Sequence, residues 1–344
     1  LIVIIMKQIA IIGAGVAGIE AASIVSKNNF KVLLFEKEND IAGNIMNKAR
    51  LFPDFSLAVE LVNKMRAKIN HPNISLHLNS EIVDIVNHNN EWELTDKKGT
   101  KYKVDTVLLA TGYTPFDATL KEELGYGIYN GVITSLDLEK MFQENRILNS
   151  LDEPPGKIVF LQCVGSRDEK SGNDYCSKVC CVTAVKQAIE AAKLLPDAEI
   201  YIFYMDLRMW GQSFEELYRE AQETYGVKFV RGRISEAAST FDGKIQIKAE
   251  DTLVGTPLKM TTDFLVLMVG MEASLGTKAL AHKCGIDGPY GFALGKDRFL
   301  EGNNTTQEEL FVAGSAKRPM SIADAIADGR SAACTIIESE NKLN

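Results

Sequence analysis

Gln8-Ile-Ala-Ile-Ile-Gly13-Ala-Gly15-Val-Ala-Gly18 is the stretch on which the reading of this chain turns. The apolar run up to Ile12 predicts a strand over 7–12. Val16 to Lys27, with Ile19, Ala22 and Ile24 on one face, predicts a helix. Lys31 to Phe35 predicts the next strand, and Glu36 closes it 18 residues after Gly18. Glycines between a strand and a helix permit a tight turn and the close approach of a pyrophosphate to the helix N-terminus, while an acidic residue at the end of the second strand accepts from ribose hydroxyls. Glycine spacing alone is a weak signal; strand, helix and carboxylate together make this a βαβ dinucleotide cradle. Its candidate contacts are Gly13, Gly15, Val16, Ala17, Gly18, Glu36 and Lys37, with Gly43 and Asn44 beyond the second strand.

Strand and helix patterns alternate along most of the 344 residues, which predicts an α/β architecture with largely parallel sheets. A helix is expected over 57–69, and strands over 82–86, 92–95 and 102–109 form a β-meander with a turn at Lys98-Gly99. Asn149, Asp152, Pro154, Pro155 and Gly156 then mark a linker before a second α/β unit. Within that unit, strands are expected over 157–161, 199–204, 227–230 and 264–269, and helices over 177–195 and 214–225. The expected division is a discontinuous first domain of 1–114 plus 271–344, a linker segment of 115–156, and a second module of 157–270. Thr106-Val-Leu-Leu-Ala-Thr-Gly112 and Phe264-Leu-Val-Leu-Met-Val-Gly270 give both halves the same ending, as expected of two nucleotide-binding-type sheets.

Lys and Arg total 38 against 46 Asp and Glu, so the formal charge of −8 argues against a nucleic-acid partner. No apolar run approaches the roughly 20 residues of a membrane-spanning helix, so direct membrane insertion is not expected. Leu1 to Ile5 read as an extension of the first strand or an expression remnant, since Met6-Lys7 resembles a start and no secretory pattern precedes it. Four of six cysteines crowd between Cys163 and Cys181, too locally for the disulfide framework of a secreted protein, which favours the cytoplasm.

Ala110-Thr111-Gly112 after an apolar strand, and Leu310-Phe-Val-Ala-Gly314 before a helix over 321–334, resemble the second and third nucleotide-contact segments of two-dinucleotide-domain flavoproteins of the thioredoxin- and glutathione-reductase-like group. The resemblance implies FAD. It places the N-terminus of the last helix, at Ser321, Ile322 and Ala323, toward the flavin pyrimidine, where positive charge stabilises arriving electron density. The group has Asp after the glycine matching Gly314. This chain has Ser315, so the ribityl contacts expected at Ser315 and Ala316 differ.

The second half departs further. Where the group has a glycine-rich loop for NAD(P)H, this chain reads Phe160-Leu-Gln-Cys-Val-Gly-Ser-Arg167, with one glycine where three are needed. In place of the loop stands Cys163-x12-Cys176-x3-Cys180-Cys181, with Cys176 and Cys180 expected to share a face where the helix begins. Four thiolates suit a 4Fe-4S cluster or, with less usual spacing, zinc. Plain packing is a poor account of three cysteines in six residues. A dithiol reductase is disfavoured, because there is no C-x-x-C and no cysteine between Gly43 and Arg50.

Cys163-Val-Gly-Ser-Arg-Asp-Glu169, Tyr175-Cys-Ser-Lys-Val-Cys-Cys181 running into Ala184-Val-Lys-Gln-Ala188, Asp206-Leu-Arg208, and Tyr225-Gly-Val-Lys-Phe-Val-Arg-Gly-Arg233 resemble the A subunit of heterodisulfide reductase. The resemblance spans nearly the whole chain after Met6. It implies that Cys163, Cys176, Cys180 and Cys181 ligate a 4Fe-4S cluster near a non-covalent FAD, that Lys186 lies near flavin N5, and that the partners are iron-sulfur subunits of B and C type. It further implies an oxidoreductase serving electron transfer in sulfur metabolism, and a homodimer. The chain is similar to the compact version in sulfur-oxidising complexes and to the A subunit of the quinone-interacting oxidoreductase. On residues alone, Lys186 falls beside the stripe Val182, Val185 and Ile189, and a lysine snorkelling along the helix to water is the plain alternative. Cys284 and Cys334 read as small buried hydrophobes. The competing function is a stand-alone NAD(P)H-dependent flavin oxidoreductase with regulatory or zinc-binding cysteines.

Overall fold

The computed structural model describes residues 6–88 and 91–342; the expectation for residues 1–5 lies outside them. The first third runs β1 (Gln8–Ile12), α1 (Val16–Ser26), β2 (Lys31–Phe35), α2 (Ala58–Ile69), β3 (Ile74–His77), β4 (Ile82–His88), β5 (Glu91–Asp96), β6 (Lys101–Val104), β7 (Thr106–Leu109) and β8 (Tyr113–Pro115). The middle runs β9 (Val132–Thr134), α3 (Ser135–Gln143), β10 (Lys157–Val164), α4 (Cys180–Leu194), β11 (Glu199–Tyr204), α5 (Phe214–Glu223), β12 (Lys228–Arg231), β13 (Ile234–Ser239), β14 (Ile245–Asp251), β15 (Thr256–Thr262) and β16 (Phe264–Val269). The chain closes with β17 (Met271–Ala273), α6 (Leu275–Lys283), β18 (Leu310–Val312) and α7 (Ile322–Lys342).

Two compact units form, one from 1–46, 59–114 and 272–344, the other from 47–58 and 115–271. The first holds a five-stranded sheet in the order β18-β7-β1-β2-β3, parallel throughout, and the antiparallel meander β4-β5-β6. The tail therefore returns to pair β18 with β7. Alternating Ala10, Ile12, Val107 and Leu109 meet Trp92 and Leu94 of the meander in one core. On the other face α7 crosses α1 so closely that a Cβ on Gly329 would lie 2.4 Å from the Ala17 carbonyl oxygen.

The second unit repeats the plan with a parallel sheet β12-β11-β10-β16-β9 and a meander β13-β14-β15. Strands β7 and β16, the two similar sequence endings, occupy the same place beside β1 and β10 respectively. Ile158, Phe160, Ile200, Ile202 and Val266 pack against α4, while Val159, Leu161, Phe203 and Leu265 face the meander. Burial on both faces is why these strands read as continuous apolar runs rather than alternating ones.

Three expectations change. The single strand expected over 102–109 is two. Asp105 interrupts it, its carboxylate Oδ2 accepting from the Gln8 amide at 2.7 Å while its own amide donates to the Gln8 carbonyl at 2.9 Å, so β6 goes to the meander and β7 to the parallel sheet. Residues 115–156, expected as a linker, contribute the edge strand β9 and helix α3, capped by a reciprocal Thr134–Asp137 box. The helix expected from Ser177 begins at Cys180, because Lys178 adopts a left-handed φ of 64°.

Candidate nucleotide and thiol sites

In the first unit only Gly13, Ala14 and Gly15 separate β1 from α1. Gly13 has φ 108°, and a Cβ there would lie 2.3 Å from the Ala110 carbonyl oxygen. On Gly18 it would lie 2.0 Å from the Gly13 carbonyl oxygen, so both positions exclude side chains for backbone reasons. Gly15 is different: a Cβ there meets nothing within 4 Å. That open space lies at the start of α1, whose N-cap makes no side-chain hydrogen bond and whose first turn has no acidic residue. An uncompensated helix N-terminus facing open space is suited to an anion.

Other expected residues gather around this turn. The Glu36 carboxylate is buried and accepts from the Ala14 amide at 3.0 Å and the Glu38 amide at 3.1 Å, so it fixes the glycine turn itself, with Lys37 exposed beside it. Gly43 (φ 55°) reaches the turn, its built Cβ 3.7 Å from the Gly15 Cα, and Asn44 Nδ2 donates to the Tyr113 carbonyl at 3.2 Å. Thr111 Oγ1 is 2.5 Å from Thr277 Oγ1, while Gly112 has φ 68°. Gly314 lies against Ala17, where its Cβ would come within 2.7 Å. The Gly314 amide donates to Asp328 Oδ2 at 2.7 Å, and Lys317 pairs with Asp328 Oδ1 at 2.8 Å. Asp328, in the second turn of α7, thus holds the Gly314–Ser315 turn, a role the sequence did not signal. Ser321 caps α7 in a reciprocal arrangement with Asp324: its hydroxyl donates to Asp324 Oδ2 at 2.7 Å and accepts from the Asp324 amide at 3.1 Å. The α7 N-terminus therefore carries a carboxylate, which offsets part of the positive end expected at Ser321, Ile322 and Ala323.

In the second unit, residues 165–179 separate β10 from α4, and no short glycine turn forms. Cys163 takes φ 61°, Arg167 φ 53° and Lys178 φ 64°. Left-handed backbone at non-glycine residues costs of order 1–3 kcal/mol each and clusters at functional sites. The loop is tied down by Arg167 N to the Tyr175 carbonyl at 2.9 Å, Tyr175 Oη to the Met271 carbonyl at 2.7 Å, and the Met271 amide to Ser177 Oγ at 2.8 Å. Around it stand Cys163 at the end of β10, Cys176 on the loop, and Cys180 and Cys181 as the first residues of α4. Cys176 lies outside the helix, so it does not share a helical face with Cys180.

All six cysteines are thiols. Burial pushes Cys163 up to about 11, and the charges of Cys181 and Cys176 add to it, against the positive charge of Arg167. Cys180 is raised by burial and then by Cys163, Cys181 and Cys176 in turn. Cys181 is raised by burial, opposed by the Arg208 backbone N–H. The four sulfurs therefore lie within one another's electrostatic reach, at the positive end of α4, where no acidic residue occupies the first turn. A single zinc ion, with Zn–S bonds of about 2.3 Å, needs its ligands about 3.8 Å apart. Among the described residues no three His, Cys, Asp or Glu side chains close on one point in that way. Elsewhere, Cys284 is buried as expected, whereas Cys334 is exposed, on the solvent side of α7, and is no buried hydrophobe.

Lys186 is 1% exposed and does not snorkel. Its ammonium lies 2.9 Å from Glu139 Oε1 and 2.5 Å from Glu190 Oε2, one turn along α4. Gln187 Nε2 donates to the same Glu139 oxygen at 2.9 Å, and the Ala49 amide donates to Glu139 Oε2 at 2.9 Å. The i,i+4 spacing of Lys186 and Glu190 was legible as a signal; Glu139, 47 residues away on α3, was not. Burial opposes ionisation of Glu139, but Lys48 and Lys186 hold it low, whereas burial lifts Glu190 to about 7. The folded chain then keeps a proton on Glu190 that the unfolded chain releases above its ordinary value near 4.3, so this residue costs stability as pH climbs from about 4.3 to 7. Glu190→Gln is expected to melt progressively higher than wild type from pH 5 to pH 7 and to hold that advantage above it, by about 1.4 kcal/mol per pKa unit of the window crossed. A melting difference that does not change between those pH values would refute it.

Two linked βαβ sheets, each with a meander, and a glycine cradle on the first define a two-dinucleotide-binding-domain fold of the thioredoxin-reductase kind. Residues 7–329 match the family described as pyridine nucleotide-disulphide oxidoreductase, and the chain belongs to it. It is an oxidoreductase of a flavin-dependent family. Thioredoxin reductases of Lactococcus lactis (TM-score 0.70, 19% identity, 98% of this chain and all of that one) and T. acidophilum (TM-score 0.70, 18% identity, 98% and 100%) share its fold. Curated relatives bear out the resemblance to the A subunit of heterodisulfide reductase. The A subunit of the H(2)/formate:CoB-CoM heterodisulfide,ferredoxin reductase of Methanococcus maripaludis is 33% identical over 418 residues, covering 96% of this chain and 64% of its own length. The iron-sulfur A subunit of the CoB-CoM heterodisulfide reductase of Methanocaldococcus jannaschii is 32% identical over 420 residues, with the same coverage. The chain thus spans about 64% of these relatives, and alignments longer than its 344 residues mean that they carry insertions within the shared region. No helix among the described residues is long and apolar enough to cross a membrane.

Proposed function

We propose that the chain is an electron-transfer subunit holding FAD in the cradle of its first unit and a 4Fe-4S cluster on Cys163, Cys176, Cys180 and Cys181 of its second, within a heterodisulfide-reductase-like complex of sulfur metabolism. The observation that carries this reading is the gathering of three buried thiols, Cys163, Cys180 and Cys181, with the half-buried Cys176, where a second nucleotide turn would stand. Cys163, Cys180 and Cys181, raised by burial and by neighbouring thiols, are costly as isolated thiolates and become favourable ligands once iron takes their protons' place.

With both groups bound, the flavin supplies two-electron chemistry and the cluster single-electron steps. The rest falls to the protein. Gly13, Gly15 and Gly18 would bring backbone amides to the pyrophosphate, and Glu36, which holds their turn, would accept from ribose hydroxyls with its remaining lone pairs. Val16 and Ala17 start the helix whose dipole meets the phosphates. Ala110, Thr111, Gly112, Gly314 and Ser315 line the further nucleotide segments. Arg167 and the α4 N-terminus place positive charge beside the sulfurs and so stabilise the reduced cluster. For Lys186 the family resemblance supports a place beside flavin N5; its two carboxylate partners fix where its ammonium sits. Iron-sulfur subunits of B and C type as partners, a homodimer and a cytoplasmic setting belong to the same reading.

Anaerobically purified and reconstituted protein is expected to show flavin absorption together with about four irons per chain, and its flavin should stay oxidised when NADH or NADPH is added without a partner. A yellow preparation that takes up no iron would overturn the proposal. Rapid stoichiometric bleaching by NAD(P)H would replace it with the stand-alone reductase.

A further inference from the structure

We infer that Gln162, and with it Ser166, donates hydrogen bonds to the sulfurs of the cluster and thereby sets its reduction potential; the inference rests on the cluster reading above. Gln162 is 5% exposed, yet among the described residues neither its Nε2 nor its Oε1 has a hydrogen-bond partner, and the Ser166 hydroxyl, in a residue 1% exposed, has none either. A buried amide left unpaired is costly, and a fold that keeps one has a use for it or a partner that arrives later.

Placement identifies the partner. Along β10, Ile158 and Phe160 face the core that contains Val182, Val185 and Cys180 of α4, whereas Val159 and Leu161 face the meander. Alternation along the strand puts Gln162 on the α4 side, at the end of the helix where Cys180 and Cys181 begin it. The register between β10 and β16 shifts between Leu161 and Val164, so Gln162 and Cys163 sit together in the irregularity. Ser166 follows three residues after Cys163. Its Cβ stands 3.0 Å from a Cβ built on Gly270, beside Ser177 of the same thiol loop. Two orphaned donors therefore bracket the first cysteine in sequence, and strand alternation turns one of them toward the helix that the third begins. Sulfur atoms carrying the cluster's negative charge are acceptors for such groups.

Donors to the sulfurs stabilise the more negative, reduced state, so their loss lowers the potential. Gln162→Met keeps size and removes the donors; Ser166→Ala removes one hydroxyl. In the full chain, reconstituted anaerobically, each variant is expected to bind as much iron as wild type. In an EPR-monitored redox titration each should then be reduced about tenfold less at the wild-type midpoint, a shift of about 59 mV to more negative potential for one electron. The iron-free Gln162→Met protein should melt no lower than iron-free wild type, since an apolar side chain replaces an unpaired amide. Iron-loaded variants that titrate at the wild-type potential would overturn the inference while leaving the cluster in place. Wild-type protein that binds no iron would sink the cluster reading itself. Should Gln162→Met fail to load, Ser166→Ala decides by the same titration.

Discussion

Cys180→Ala is expected to lower the iron content of reconstituted protein from about four per chain to below one, while flavin content and the melting temperature of the iron-free chain stay near wild type. The split follows from where the residue sits. Cys180 is buried among Val182, Val185 and Met268 and its thiol is held protonated by burial, so without metal it packs as a small apolar side chain, and alanine removes little. On the cluster reading it is one of four ligands, and three thiolates would leave an iron corner open. The cradle for the flavin belongs to the other unit, built from Gly13, Gly15 and Gly314, and is untouched. Cys284→Ala, another buried thiol raised to about 11, is the control that should leave iron unchanged. Iron assay beside the flavin spectrum reads the result; a Cys180→Ala chain that keeps four irons would remove Cys180 from the ligand set.

Gly15→Val should weaken flavin binding a hundredfold or more, about 3 kcal/mol, without unfolding the apoprotein. A Cβ at Gly15 meets nothing within 4 Å, and its φ of −76° and ψ of −176° suit any residue, so valine fits the empty fold and fills the space a pyrophosphate needs. Gly13→Ala behaves differently: at φ 108°, with a Cβ 2.3 Å from the Ala110 carbonyl oxygen, it strains the β1–β7 contact and should lower the melting temperature as well. Fluorescence titration with FAD alongside a thermal melt separates the two. Tight flavin binding by Gly15→Val would show that the dinucleotide does not use this turn.

Much of the frame was legible because its signals are local. Strand β1, the glycine turn, α1, β2 and Glu36 span 29 residues, and each reports its own geometry: an apolar run, a turn needing glycine, a helical face, a strand end. The boundaries of β2, β11 and β16 matched their apolar runs for the same reason. Where two local readings compete, the pattern fails. Tyr102 to Leu109 looks like one strand because both halves are apolar, and only the pairing of Asp105 with Gln8, nearly a hundred residues away, divides it. Residues 115–156 carry turn residues that read as a linker, yet their short β9 has a place because β16 offers an edge.

By its own order of residues the chain determined that β1 would end in a phosphate-sized turn and that four sulfurs would stand where a second such turn belongs, because both depend on neighbours within a few positions. Tertiary structure alone decided which groups have no partner and which are paired. Lys186 is buried between two carboxylates, one brought from α3 across 47 residues. Asp328 rather than residue 315 holds the Gly314 turn. Gln162 is buried with no group to bond among the described residues. Hydrogen bonds and ion pairs act over about 3 Å, and only packing sheets against helices brings distant residues that close.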